Sequence, residues 1–192
     1  MKDQLIELLK VYFDNSLPDF QHLEGKVLFE KKIKKEYIVK ADSHSRDFYF
    51  ILNGYVRTYY QAAKGEEITT DILGKGEMTA SIYSLLKGEP AYENIQCVTD
   101  CVVCRISEKQ FEELALQNAT WYMLSMKFLK AALLKKEERI IDFARLKANE
   151  RYVNLLTQRP DILQNVPVQY IASYLGVKPE SLSRIRNQST FS

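Results

Sequence analysis

Cysteine is scarce in this sequence and histidine scarcer, with three of the first and two of the second in 192 residues. Cys97, Cys101 and Cys104 are odd in number, which argues against a disulfide framework. Their C-x3-C-x2-C spacing also occurs in enzymes that hold an iron–sulfur cluster on three thiolates. Here, however, the run from Asn94 to Ile106 reads as strand, turn, strand, and side chains alternate faces along a strand. The thiols are thereby scattered and are read as structural. His22 and His44 have no ligand partner close in sequence, so neither a metal site nor a cofactor is expected. No stretch approaches the roughly 18 consecutive apolar residues of a membrane span. The first residues, Met1 to Glu7, carry acids and lack an apolar signal core, so the expectation is a cytoplasmic protein with no membrane partner. There is no internal repeat, phosphate-binding loop or nucleophile–base pair. An enzyme has no support.

What is present is ordinary in amount and uneven in placement. Hydrophobic residues make up 46% and charged residues 27%, values of a folded chain long enough for one good-sized core and a small second one. The net charge of +2 conceals an asymmetry. Residues 118–192 hold 12 Lys and Arg against 6 Asp and Glu, whereas residues 1–117 hold 15 against 19. A basic part behind an acidic one points to a polyanion as partner of the former, although two unrelated solvated surfaces give the same numbers.

Three textures follow one another. Residues 2–13 and 18–24 carry short helical patterns, with Leu5, Leu8, Leu9 and Tyr12 on one face. From Lys26 to Ile106 the pattern is β. Strand-like runs at 27–29, 37–39, 48–52, 55–60 and 68–73 are divided by Asn53-Gly54, Lys64-Gly65, Gly74-Lys75-Gly76 and Gly88-Glu89-Pro90. Short strands closed by regular turns predict a β-roll or barrel. From Ser107 the chain reads as helical, first in a capped helix over 108–116 and then in a long one over 120–146. On the long helix Tyr122, Met126, Leu129, Leu133, Lys136, Ile140 and Phe143 recur at 4-3 spacing, a coiled-coil seam with one polar interruption. Trp121, Leu124 and Phe128 lie on another face, available to the roll. The seam predicts a homodimer; burial of both faces within one chain is the alternative.

The segment Val166 to Arg186 has the pattern of a helix-turn-helix. Ala172 is small where two steeply crossed helices touch, and Gly176 permits the positive φ of the turn. Ile171, Leu175, Val177, Leu182 and Ile185 fall where the pair buries apolar side chains, and Pro179 suits the first turn of the second helix. That helix would enter a DNA major groove. Glu180, Ser181, Ser183, Arg184 and Asn187 are its candidate readers, with Lys178 and Arg186 suited to phosphates. Residues 149–156 read as a support helix with Tyr152, Leu155 and Leu156 inward.

Three blocks give the chain a resemblance to the Crp/Fnr superfamily of transcription regulators: Leu52-Asn53-Gly54-Tyr55-Val56-Arg57, Gly76-Glu77, and Leu175-Gly176-Val177 through Leu182-Ser183-Arg184-Ile185. The resemblance runs nearly end to end. It implies an α+β fold made of three parts: a double-stranded β-helix, jelly-roll-like sensor domain over 1–117, a dimerisation helix over 118–146, and an all-α helix-turn-helix domain over 147–192. It also implies double-stranded DNA and RNA polymerase as partners, base contacts by Glu180 and Arg184, and a small effector held in the roll. Pro179 replaces a basic residue of the best-known members, so the operator should differ from theirs. Members that bind cyclic nucleotides follow a Gly-Glu pair with an Arg-Ser or Arg-Thr pair that holds the phosphate. Here Gly76 and Glu77 are followed by Ala91 and Tyr92 at that place, and Pro90 to Asn94 contains no cation. Losing a charge-assisted contact costs about 1.5–3 kcal/mol, so cyclic AMP binding is expected to be lost and any effector is unidentified. Glu77 then reads as a helix-start or turn residue, with a ligand role as the alternative. The recognition helix stands close to Phe191 and Ser192, so a following wing is expected to be absent or minimal. The rival reading is a sensor or protein-interaction module whose helix-turn-helix no longer reads DNA.

Overall fold

The computed structural model describes residues 1–10 and 20–189. Tyr12 of the expected first helix and the wing region at 190–192 lie outside the described residues. The fold is α+β, with an eight-stranded antiparallel roll flanked by helices. Its strands are β1 (Leu28–Lys32), β2 (Tyr37–Val39), β3 (Asp47–Asn53), β4 (Val56–Gln61), β5 (Glu67–Leu73), β6 (Met78–Thr79), β7 (Asn94–Cys97) and β8 (Cys101–Ser107). They form two four-stranded sheets, ordered β1-β8-β3-β6 and β2-β7-β4-β5. Apart from the β4–β5 pair, consecutive strands thus cross between sheets, the signature of a jelly roll.

Helix α1 spans Lys2–Lys10, and a 3-10 turn follows at Phe20–Leu23. A short helix α2, Ile82–Lys87, interrupts the roll, and here the sequence reading needs correcting. Gly88 does not open a turn between strands; with φ 70° it ends α2, donating its N–H to the Ser84 carbonyl. After β8, Ser107 caps α3 (Glu108–Gln117) with a reciprocal bond to Gln110, and Asn118 caps α4 (Ala119–Arg145). Four shorter helices complete the chain: α5 (Ala148–Gln158), α6 (Pro160–Asn165), α7 (Val168–Leu175) and α8 (Pro179–Ser189). Among the described residues no helix is long and apolar enough to cross a membrane.

Burial follows the strand alternation. Along β3, Tyr49 and Ile51 face the interior between the sheets, where they meet Val39, Val56, Leu73, Ile95 and Val103. Phe50 and Leu52 face the other way, against Leu5, Leu9, Leu114, Trp121, Leu124 and Phe128 of the helices. β8 divides in the same manner, which explains the cysteines. Cys97 and Cys101 meet in the interior, while Cys104 belongs to the helical layer. All three are buried free thiols, and burial pushes Cys104 up to about 12. A third cluster joins Ile72 and Val98 of the roll to Tyr152, Leu155, Ile162, Ile171, Ala172, Leu175 and Leu182. Leu156, expected inward, is 43% exposed, because the one-residue step from Leu155 carries it round to the outer face of α5.

The β3–β4 turn tests the packing. Gly54 has φ 88°, and a Cβ there would lie 2.3 Å from the Asp100 carbonyl oxygen and 2.7 Å from Cys101 Sγ. Gly54→Ala should therefore destabilise the chain by about 2–4 kcal/mol, strain and overpacking together, as measured by urea unfolding. Gly65→Ala, with the same sign of φ and nothing within 4 Å, should cost about 1–2 kcal/mol.

Candidate nucleic-acid interface and effector cavity

α7 and α8 pack in one cluster that includes Ala172, which is fully buried. The Gly176 N–H and Val177 N–H return to the Ser173 and Ala172 carbonyls, and Gly176 takes φ 70°. The turn is clamped from outside. Arg151 donates to the Leu175 carbonyl from Nε (3.2 Å) and Nη2 (2.9 Å), and to the Leu146 carbonyl from Nη1 (2.7 Å). Beneath the turn lies the Phe143 ring, so close that a Cβ on Gly176 would sit 2.7 Å from it. Arg139 and Arg151 both stack on that ring, at 4.6 and 4.4 Å. The end of α4 and the turn between α7 and α8 are thus one packed unit.

Lys178, Glu180, Ser183, Arg184, Arg186 and Asn187 are exposed at the start and outer face of α8, and Ser181 is half-buried. Ser183 Oγ donates to the Pro179 carbonyl at 3.1 Å, which commits its proton to the helix itself. Along α4, Tyr122, Leu129, Leu133, Ile140 and Phe143 are exposed by 42–66%, and Met126 is half-buried. Within a single chain this stripe stands open to solvent.

α7 docks on the outer face of the β4–β5 pair. Ser173 Oγ donates to the Glu67 carbonyl and accepts from the Thr69 N–H, both at 2.9 Å, so it satisfies the open edge of β5. Arg57 of β4, 2% exposed, lies between the rings of Tyr59 (4.0 Å) and Tyr170 (3.8 Å). It pairs with Glu67 at 2.5 Å and donates to Gln96 at 2.8 Å. Arg139 reaches both sides of the contact, donating to the Thr69 and Tyr174 carbonyls.

A cavity of about 230 Å³ opens between the roll, α2 and α4. Of the four residues expected around an effector, Glu77 alone lines it. Gly76 forms the turn, with φ 88° and its N–H on the Ile51 carbonyl. Ala91 and Tyr92 do not reach the cavity. Ala91 is fully buried in the roll interior, and Tyr92 is 59% exposed with its ring 4.2 Å from that of Tyr83. Glu77 has a different occupation from either expected role taken singly. It accepts from the Gly74 N–H at 2.7 Å, as a turn residue does, and pairs with Lys135 and Arg159, each at 3.0 Å. One carboxylate thereby ties the roll to α4 and to the residue that opens α6. Lys135 also meets Asp71 at 2.8 Å. Burial pulls its ammonium down, but the two carboxylates more than offset this and hold it above the usual lysine value. Asp161 is likewise pushed up by burial and brought below its ordinary value by Arg159 and by Tyr55 Oη.

Lys135, Arg159, Arg57 and Glu93 were absent from the expected site. For Lys135 a signal existed. The roll-facing series Trp121, Leu124, Phe128 continues at helical spacing through Ala131 and Ala132 to Lys135. The others depend on contacts between distant segments and leave no local trace. Among the described residues no group of three or more His, Cys, Asp or Glu stands together as a metal site.

The fold is a β-roll with a cavity against a long helix, followed by a pair of packed helices. Residues 30–118 match the cyclic nucleotide-binding domain family, and the chain shares its fold with several solved structures. Similar solved structures include FixK2 from Bradyrhizobium japonicum, with 19% identity over 84% of this chain and 83% of that one, TM-score 0.73. A CooA mutant from Carboxydothermus hydrogenoformans aligns with 18% identity over 96% and 83%, TM-score 0.72. The c-di-GMP-responsive global regulator CLP of Xanthomonas campestris aligns with 15% identity over 88% and 89%, TM-score 0.67. No curated protein matches the sequence.

Replacing Arg57 by Ala leaves Glu67 and Gln96 without their partner and Tyr170 without its stacked cation. The cost should be about 2–4 kcal/mol in thermal or urea unfolding. Cleavage between α4 and α7 by limited proteolysis should accelerate in the same variant, because the Arg57–Tyr170 stack is one of the contacts holding α7 to the roll, beside those of Ser173 and Arg139.

Proposed function

We propose that the protein is a homodimeric, DNA-binding transcription regulator whose β-roll senses a small effector, and that it has no catalytic role. The observation that carries this is the turn between α7 and α8, built on Ala172, Gly176 and the Arg151 clamp, which presents an exposed basic helix. Arg184 suits two donors to guanine O6 and N7, Glu180 an acceptor for cytosine N4, and Asn187 an adjacent base edge. Lys178 and Arg186 suit phosphates, as the charge of the C-terminal part also suggests. Ser181 and Ser183 are secondary, since the first is half-buried and the second bonded to its own helix.

Dimerisation is supported by the apolar stripe of Tyr122, Met126, Leu129, Leu133, Ile140 and Phe143, whose spacing suits a second copy of the same helix. Paired in this way, two chains offer recognition helices to successive major grooves, about 34 Å apart, on a near-palindromic site. The functional division is a sensor over 1–117, a dimerisation helix over 118–146 and a reader over 147–192. A cytoplasmic setting and contact with RNA polymerase accompany this reading by likeness to the Crp/Fnr regulators. Ordinary cyclic AMP is not the effector, since Glu77 is occupied by protein cations and the segment from Pro90 to Asn94 carries no cation to hold its phosphate.

Selection from random duplex DNA should yield a two-fold symmetric site whose affinity falls steeply with salt. Arg184→Ala should cost about 1–3 kcal/mol at one position of each half-site and relax preference there. Uniform binding to all duplexes would favour the module that no longer reads sequence.

A Leu133→Glu, Ile140→Glu double variant should sediment as a 22.4 kDa monomer with unchanged circular dichroism, because both side chains are already exposed in the single chain. Its affinity for the selected site should drop at least about 100-fold, since the second reader is lost. A variant that remains dimeric would move the interface elsewhere.

A further inference from the structure

The cavity beside α4 contains a carboxylate that nothing among the described residues answers. Glu93 is 6% exposed, lines the cavity, and has no hydrogen bond or ion pair among the described residues. The cations that could serve it are placed otherwise. Lys135 is shared between Asp71 and Glu77, and Arg159 pairs with Glu77 and Asp161. Lys136 also borders the cavity but is exposed and forms no ion pair among the described residues. A buried carboxylate without a partner is costly, and it is normally retained where something else supplies the opposite charge. Beside its charged groups and Thr58, Thr70 and Thr79, the cavity walls carry aromatic and apolar side chains: Phe48, Tyr60, Tyr83, Phe128, Leu73 and Ile82. Such walls suit an apolar body and, through their ring faces, a cation. Tyr60 lines the same cavity, and its hydroxyl is pushed up first by its own burial and then by the charge of Glu93.

We propose that this cavity takes a small organic cation, an ammonium or guanidinium group carried on an aromatic or aliphatic body, with Glu93 as its counter-ion. The charge preference is opposite to that of a cyclic nucleotide. It deepens the reading of the roll as an effector-sensing unit and rests on it. Contact with Ala131, Ala132 and Lys135 of α4 gives such a ligand a direct route to the helix that carries the apolar stripe.

The test is calorimetric titration of the full-length protein, without DNA, with phenethylamine, tyramine and agmatine. Neutral 2-phenylethanol and anionic phenylacetate serve as partners of the first in shape. At least one amine should bind. For phenethylamine the preference over the alcohol and the acid should be at least tenfold, and Glu93→Gln should reduce that preference to near unity. Thermal unfolding and circular dichroism establish that the variant is folded; should it fail to fold, the comparison among the three isosteres on the unaltered protein decides alone. Absence of heat with all three amines, equal affinity for alcohol and amine, or tighter binding of phenylacetate overturns the proposal. A protein that selects DNA but ignores amines loses only the ligand assignment, whereas one that binds amines and no duplex loses only the regulator reading.

Discussion

Burial of both faces of the roll's sheets is the constraint from which the rest follows. A sheet with one solvated face alternates apolar and polar residues, but β3 and β8 carry apolar side chains on both sides. Their inner residues make the roll; their outer residues need α1, α3 and α4. The second sheet meets the same requirement by another route, since Ile72, Val98 and Arg57 on its outer side are covered by α5 to α8. The roll and the C-terminal helices therefore share a core instead of meeting across solvent.

This shared burial determines what was legible in the sequence. The turn between α7 and α8 could be read because its requirements are local: a small residue at the crossing, a glycine for positive φ, a proline at the start of a helix. The alternation of β3 was legible for the same reason. α2 was not, because Gly88-Glu89-Pro90 serves equally as a turn between strands and as the end of a short helix, and only the Ser84 carbonyl distinguishes them. The ligand side was read from an alignment that put Ala91 and Tyr92 at the site. In the folded chain the loop turns Ala91 inward and Tyr92 outward, and it is the next residue, Glu93, that reaches the cavity. A shift of one position reverses the face presented, and no local pattern reveals it.

Phe143 connects the two halves of the functional reading. It belongs to the apolar stripe of α4, and its ring also supports Gly176 and receives Arg139 and Arg151. A displacement of α4 at its end is therefore transmitted to the turn between α7 and α8 by packing, since a ring under a glycine leaves no slack. The cavity touches the same helix two turns earlier, at Lys135. Two states of this helix would suffice to couple the sites, provided an effector favours one of them.

The bracket at Glu77 has a mechanical character of its own. Its three partners come from the roll's own turn, from α4 and from the residue ahead of α6, and its two ion pairs are only partly withdrawn from water. Ion pairs of that kind are screened by salt less than pairs on an open surface, and separating one leaves a partly desolvated charge. The joint between the roll and the C-terminal helices is consequently held by packed apolar side chains at one side and by paired charges at the other, so the first resists by shape and the second by charge.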